Sequence, residues 1–297
     1  MVRCFPKKLN VVIIGFILFF SSIPAFTQVM EGLENSDGQI SLLLTQAVEE
    51  GGIDRIQNLL EQGVNINLQN RNGITPLYTA VFLKRIRLIS FLINQGADVN
   101  LPDHEGLSPL HIAALENFQE GAELLLTHGA KIESRDESGY TPLHLAADQG
   151  SDNVMRVLLV AEANVNTQSD WGNTPLHASV SRGNLFMVKI LIKYSAQLNV
   201  RDRLGRTALH WVAEKGNLAI AKSLIQAGGL LNRLDNDGET PLHEAAKWGH
   251  MPIIKLFLAQ GADVNIRASD GRGALHLAIA NGNVDVAELL IHHGANM

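Results

Sequence analysis

The amino-acid sequence predicts an all-α repeat solenoid, in which short helix–turn–helix units stack side by side. Two observations carry this prediction. A four-residue motif, Thr-Pro-Leu-His in three copies and a close variant of it in four others, recurs every 33 residues without an insertion. Glycine also recurs at two fixed places in this period, where the first and the second helix of each unit would end. Because no single unit of this size can bury its own apolar face, the units must bury it against one another.

Each copy of the motif predicts the start of a helix. The seven copies begin at Thr75, Ser108, Thr141, Thr174, Thr207, Thr240 and Gly273, and a weaker copy lies at Leu42–Thr45. Thr or Ser is a good helix N-cap, and Pro suits the first helical position because its missing N–H costs nothing there. In the copy from Thr141, the apolar Leu143, Ala146 and Ala147 share one face, which predicts a short buried helix. Gly150 then supplies a left-handed residue that ends it, and a second helix follows.

Four units lack one of the two expected glycines. Lys84 and Asn117 replace the glycine after the first helix, and Glu162 and Ser195 replace the glycine after the second helix. The left-handed backbone conformation costs free energy for a residue with a side chain, but not for glycine. We therefore expect these four positions to be weak points of the stack, although asparagine at Asn117 is tolerable in a left-handed turn.

Composition and charge exclude several classes of protein. Hydrophobic residues make up 46% of the chain, too many for a disordered protein. The net charge of -6 has the wrong sign for a general nucleic-acid binder. Cys4 is the single cysteine, so neither an intramolecular disulfide nor a metal site with four thiolate ligands can form.

Residues 1–25 are predicted to be a secretory signal peptide. Positive residues precede an apolar stretch from Val11 to Phe20, and small residues follow it, with cleavage expected after residue 25 or 27. The apolar stretch is shorter than the ~20 residues that a membrane-spanning helix needs, although an uncleaved membrane anchor remains an alternative. We expect an exported protein, in the bacterial periplasm or outside the cell, that does not insert in the membrane after cleavage. A short linker, residues 26–39, would then precede the repeats.

The recurring motif resembles the ankyrin repeat, which has a 33-residue period and a Thr-Pro-Leu-His signature. The resemblance covers residues 40–297 and implies a stack of about eight units, with β-turn or hairpin loops between them. Their expected bounds are 40–69, 70–102, 103–135, 136–168, 169–201, 202–234, 235–267 and 268–297. The resemblance also implies that the motif histidines have a structural role, in which they bond the neighbouring Thr and adjacent backbone.

No residue pattern predicts catalysis, a cofactor or a metal site. His243–Lys247 nearly matches the zinc-protease helix motif, but Lys247 occupies the position of the second histidine. Asp235, Asp237, Gly238 and Glu244 match part of a calcium loop, but Arg233 occupies its first ligand position. An enzyme that depends on a metal or a ligand is therefore the least favoured alternative.

The resemblance implies a concave groove, lined by turn tips and first helices, that binds a partner protein. Within it we expect Tyr140, Trp171, Arg182, Arg203, Arg206, Lys215 and Trp248 to contact the partner, because Trp, Tyr and Arg are enriched at binding hot spots. The charges predict a polarised groove, in which acidic residues precede the basic run from Arg182 to Lys215. The predicted function is a monomeric, non-enzymatic interaction scaffold that binds protein and not nucleic acid. A secreted effector that engages host proteins is the alternative.

Overall fold

The computed structural model describes residues 36–297. The predicted signal peptide and residues 26–35 of the predicted linker lie outside the described residues. The remaining chain forms helices from Ser36 onward, so the first helix begins before the predicted repeat boundary at residue 40. In the part described there is no strand, only an isolated antiparallel bridge between Arg267 and Gly273.

The helices follow one another as pairs of a first and a second helix. The pairs are α1 Ser36–Glu50 and α2 Ile53–Glu61, α3 Pro76–Phe82 and α4 Ile86–Asn94, α5 Pro109–Leu115 and α6 Gln119–Thr127, α7 Pro142–Gln149 and α8 Asp152–Val160, α9 Pro175–Ser181 and α10 Leu185–Lys193, α11 Ala208–Lys215 and α12 Leu218–Gln226, α13 Pro241–Trp248 and α14 Met251–Ala259, and α15 Ala274–Ala280 and α16 Val284–His292. None of the helices in residues 36–297 combines the length and the apolar character that crossing a membrane requires. The result is an all-α repeat solenoid, as the sequence predicts.

The chain divides into two compact units, one up to His104 and the other from Glu105 to Met297. In the unit up to His104, α1 packs against α2 and α3, and α3 packs against α4. In the unit from Glu105, the first helices α5, α7, α9, α11, α13 and α15 pack in sequence. Small buried residues such as Ala113, Ala146 and Ala245 lie on these first helices and allow close approach.

Three of the motif histidines, His111, His144 and His210, connect neighbouring repeats. The main-chain N–H of Thr141 donates to Nδ1 of His144 at 3.1 Å, and Nε2 of His144 lies 3.0 Å from the carbonyl oxygen of Asn173 in the next repeat. Because Nδ1 accepts a main-chain proton, Nε2 carries the ring proton and donates. His111 and His210 reach the carbonyl oxygens of Tyr140 and Glu239 in the same way. The structural role that the resemblance implies is confirmed at these positions.

The backbone ends its helices where the sequence indicates. Gly150, for example, has a φ of 79° and ends α7 in the left-handed conformation. The same conformation occurs at Lys84, Asn117, Glu162 and Ser195, with φ between 48° and 63°, and at no other non-glycine residue in 36–297. These are the four positions that lack the expected glycine, so the left-handed residue that ends each helix is kept there without glycine.

Candidate protein-binding surface

The hairpin tips of consecutive repeats form a continuous ladder of main-chain hydrogen bonds. The N–H of Asp170 donates to the carbonyl oxygen of Ser138 at 3.0 Å, and the N–H of Arg203 donates to the carbonyl oxygen of Trp171 at 2.8 Å. The same bond joins Asn236 to Leu204 at 3.0 Å. We call the surface made by these tips and by the adjacent first helices of residues 136–272 the hairpin surface. Its backbone is held in place by the fold itself.

Trp171 and Arg203 lie next to each other on the hairpin surface. Trp171 is 40% exposed, and the guanidinium carbon of Arg203 lies 5.4 Å from the centre of the indole ring. This distance is typical of a cation–π contact, which holds the arginine above the ring. Both predicted contact residues are therefore at the surface and in mutual contact.

Tyr140 is not available at the surface, so its predicted role as a contact residue needs correction. Its side chain is 2% exposed, and its ring meets the ring of His144 edge to face at 5.5 Å. The main-chain N–H of Tyr140 donates to the Asp136 carboxylate at 2.8 Å, which closes the hairpin. Tyr140 is thus a buried structural residue, because the hairpin turns its ring toward the first helices.

Arg182 is committed to an ion pair within the protein. Its Nε and Nη2 donate to the two carboxylate oxygens of Asp148 at 2.8 and 2.6 Å, in the two-pronged geometry that guanidinium and carboxylate groups favour. Asp148 is buried, and this hydrogen bond raises the pKa of Arg182 above its usual value. The pair joins neighbouring repeats and holds the arginine against the surface.

A second network surrounds Arg206. Its Nε lies 3.2 Å from Asp202 and its Nη1 lies 3.0 Å from Glu214, while the guanidinium carbon lies 4.7 Å from the ring centre of Trp211. Lys215 pairs with the same Glu214 at 2.7 Å. Only 14% of the Arg206 side chain is exposed, so this residue serves the fold more than the surface. Arg182, Arg206 and Lys215 thus have carboxylate partners within the protein, and of the predicted basic run only Arg203 has no ion pair in residues 36–297.

Trp248 is more exposed than Trp171. Its side chain is 55% exposed at the end of α13, and its indole N–H donates to Oε2 of Glu244 at 3.0 Å. The ring is therefore both accessible and fixed in orientation. Of the seven predicted residues, the structure leaves Trp171, Arg203, Lys215 and Trp248 at the surface, together with part of Arg182.

Burial keeps three of the motif histidines neutral. It lowers the pKa of His111, His144 and His210 to about 4, although each ring hydrogen-bonds a carbonyl oxygen of the next repeat. Each of these histidines therefore contacts its own repeat and the next one, and together they form a row along the stack. Within residues 36–297, no group of three or more His, Cys, Asp or Glu side chains is positioned to hold a metal ion.

Two further residues of this surface are not among the seven predicted contact residues. Glu239 and Glu244 are 8% and 7% exposed, and desolvation by burial raises the pKa of both carboxyl groups. The signal in the sequence is a carboxylate at two positions that have none in the other repeats. Glu239 corresponds to Tyr140 and Asn173, and Glu244 corresponds to Leu145 and Ala178. These two carboxylates lie in the repeat that also carries Trp248.

Comparison with known proteins agrees with this geometry. The family model described as ankyrin repeats (three copies) matches residues 44–136, 143–234 and 228–297, which is most of the chain. No curated protein matches the sequence. The 33-residue period, the paired helices, the linking histidines and this match lead to one conclusion. The chain belongs to the ankyrin-repeat family.

Proposed function

We propose that this protein is a non-enzymatic scaffold that binds a partner protein on the hairpin surface. The observation that carries the proposal is the exposure of two tryptophans, Trp171 and Trp248, on one ordered surface. Tryptophan is enriched among the residues that dominate binding free energy. Ankyrin repeats generally mediate binding between proteins, and no catalytic constellation in the sequence competes with this role.

The fixed geometry of the hairpin surface supports the same proposal. Main-chain bonds hold the tips, Arg203 holds the Trp171 ring, and Glu244 holds the Trp248 ring. Binding then orders few additional groups, so little conformational entropy is lost when a partner docks. We expect a standard-sized interface, on the order of 800 Å² on each side.

Crosslinking in cells tests the assignment of the surface. Partners captured by the wild-type protein should be lost from the double variant Trp171→Ala/Trp248→Ala, while circular dichroism confirms that the helices persist. Phe186→Ala is the matched control, because Phe186 is an exposed aromatic residue on the second helix α10. Equal capture of the same partners by the wild type and the double variant would contradict the proposal.

We further propose that the protein acts as an exported monomer. This rests on the predicted signal peptide, which carries three positive charges, so its removal leaves a net charge of -9. Amino-terminal sequencing of the purified protein should place its start after residue 25 or 27, and light scattering should give the mass of one chain. Fractionation should recover it from the periplasm, whereas a pool in the medium would favour a secreted effector. A cytoplasmic pool with an intact amino terminus would contradict export.

A further inference from the structure

Glu239 and Glu244 form a pair of nearly buried carboxylates with too little positive charge around them. Glu239 ends the hairpin before Thr240, and Glu244 follows in α13. The Glu244 carboxylate accepts from the Trp248 indole at 3.0 Å and lies 3.8 Å from the Lys247 ammonium. Among the described residues, the Glu239 carboxylate has no hydrogen bond and no ion pair.

The neighbouring cations cannot compensate this pair. Arg272 forms an ion pair with Asp270 at 2.6 Å, and Arg206 is held by its own two carboxylates. Of these three cations, only Lys247 has no ion pair with another carboxylate in residues 36–297. A buried carboxylate without a partner is costly, and elsewhere on this surface the buried carboxylates have a cation or, at Asp235, two main-chain N–H donors. Asp148 has Arg182, and Asp202 has Arg206.

The indole of Trp248 lies beside the Glu244 carboxylate and is 55% exposed. In the two preceding repeats a guanidinium lies over a tryptophan ring, Arg203 over Trp171 and Arg206 over Trp211. No cation of residues 36–297 lies over Trp248. The ring face of an indole and a carboxylate both attract a cation, and here Glu244 ties the two together through the indole N–H.

We infer that Glu239, Glu244 and Trp248 form a site for one cationic side chain, an arginine or lysine, of the partner protein. The inference rests on the proposed function and specifies the partner chemistry at one place on the hairpin surface. A guanidinium can donate to both carboxylates while its plane stacks on the indole. The incoming charge would supply the counterion that the fold itself does not provide.

A short peptide tests the site without knowledge of the partner. The intact protein, labelled with ¹⁵N at its tryptophans, is titrated with acetyl-Gly-Arg-Gly-amide while the indole N–H resonances are recorded. Trp248→Phe identifies the Trp248 resonance. The matched control peptide carries citrulline, which has nearly the same shape as arginine but no charge. We expect a saturable shift of the Trp248 resonance with the arginine peptide and none with the citrulline peptide.

Single substitutions complete the experiment. Glu239→Gln should weaken binding of the arginine peptide by about tenfold, the usual size of a lost charge-assisted hydrogen bond. Glu288→Gln removes the same charge from an exposed position on α16 and should leave the affinity unchanged. A Trp248 resonance that ignores arginine, or that responds equally to citrulline, overturns the inference. So does an unchanged affinity in Glu239→Gln.

The two proposals fail separately. If crosslinked partners depend on the tryptophans while the arginine peptide has no effect, the hairpin surface stands and the cation site is wrong. If the arginine peptide binds as expected while no partner depends on the tryptophans, the cation site stands and the proposed function is wrong.

Discussion

A decrease in pH from 7 to 5 should strongly destabilise the unit from Glu105 to Met297. Burial lowers the pKa of His111, His144 and His210 from 6.5 to about 4 in the folded protein. In the unfolded chain these histidines take up protons as the pH falls through 6.5, while in the folded protein they stay neutral until about pH 4. Their contribution is thus fully present above pH 6.5 and is lost as the pH falls toward 4.

The size of the effect follows from the two pKa values. Each of the three histidines contributes about 1.8 kcal/mol to the loss between pH 7 and pH 5, which gives a total of about 5 kcal/mol. Burial also lowers the pKa of His177 and His243, which adds to the loss. The carboxyl groups of Asp136, Glu239 and Glu244 act in the opposite sense because burial raises their pKa.

Urea denaturation at pH 7, 6 and 5 measures this loss. The chain has three tryptophans, all within the unit from Glu105, so their fluorescence reports on that unit alone. His144→Gln should reduce the loss between pH 7 and pH 5 by about 1.8 kcal/mol, whatever its effect at pH 7. His128→Gln alters an exposed histidine and serves as the control, which should keep the full loss. A free energy of unfolding that stays constant from pH 7 to 5, or an unchanged loss in His144→Gln, would refute the reasoning.

Three further predictions concern single residues in the same unit. Gly172 has a φ of 75°, and an added Cβ would lie 2.8 Å from a main-chain nitrogen of the next hairpin. Gly261 has a φ of 87° with open space around it. In urea denaturation, Gly172→Ala should therefore lower the free energy of unfolding by at least about 1 kcal/mol more than Gly261→Ala does. Ser195 has a φ of 63°, so Ser195→Gly should stabilise the protein by about 1 kcal/mol, and a lower urea midpoint would contradict this. Glu239→Gln should raise the Tm at pH 7, because burial raises the pKa of this carboxyl group and disfavours its charged form. The gain in Tm should vanish near pH 4, and a lower Tm of the variant at pH 7 would contradict the prediction.

The sequence predicts where most residues of the candidate site lie within a repeat, but not which of their side chains are exposed. The period locates Trp171, Arg203 and Trp248 on the hairpin tips or the ends of first helices, and all three are exposed. It assigns Tyr140 to the same surface, where the ring is in fact buried against His144. Position in a repeat is a local property, whereas exposure depends on which side chains the adjacent repeats contribute.

The electrostatics of the surface likewise depended on contacts between repeats. Arg182 and Asp148 are far apart along the chain, and only their packing shows that the arginine is already paired. For the same reason the unmatched carboxylate of Glu239 cannot be recognised from residue types alone. A charge count along the sequence gives the sign of each group but not its nearest counterion.

The sequence by itself determined the repeat period, the starts and ends of the helices and the four left-handed positions that lack glycine. These features depend on a few adjacent residues: an N-cap, a proline, a residue in the left-handed conformation. Tertiary structure alone decided which tryptophans are accessible, which arginines are neutralised and where acidic charge is left without a partner. Those properties arise when side chains from separate repeats come within a few ångströms, where desolvation and ion pairing set their free energies.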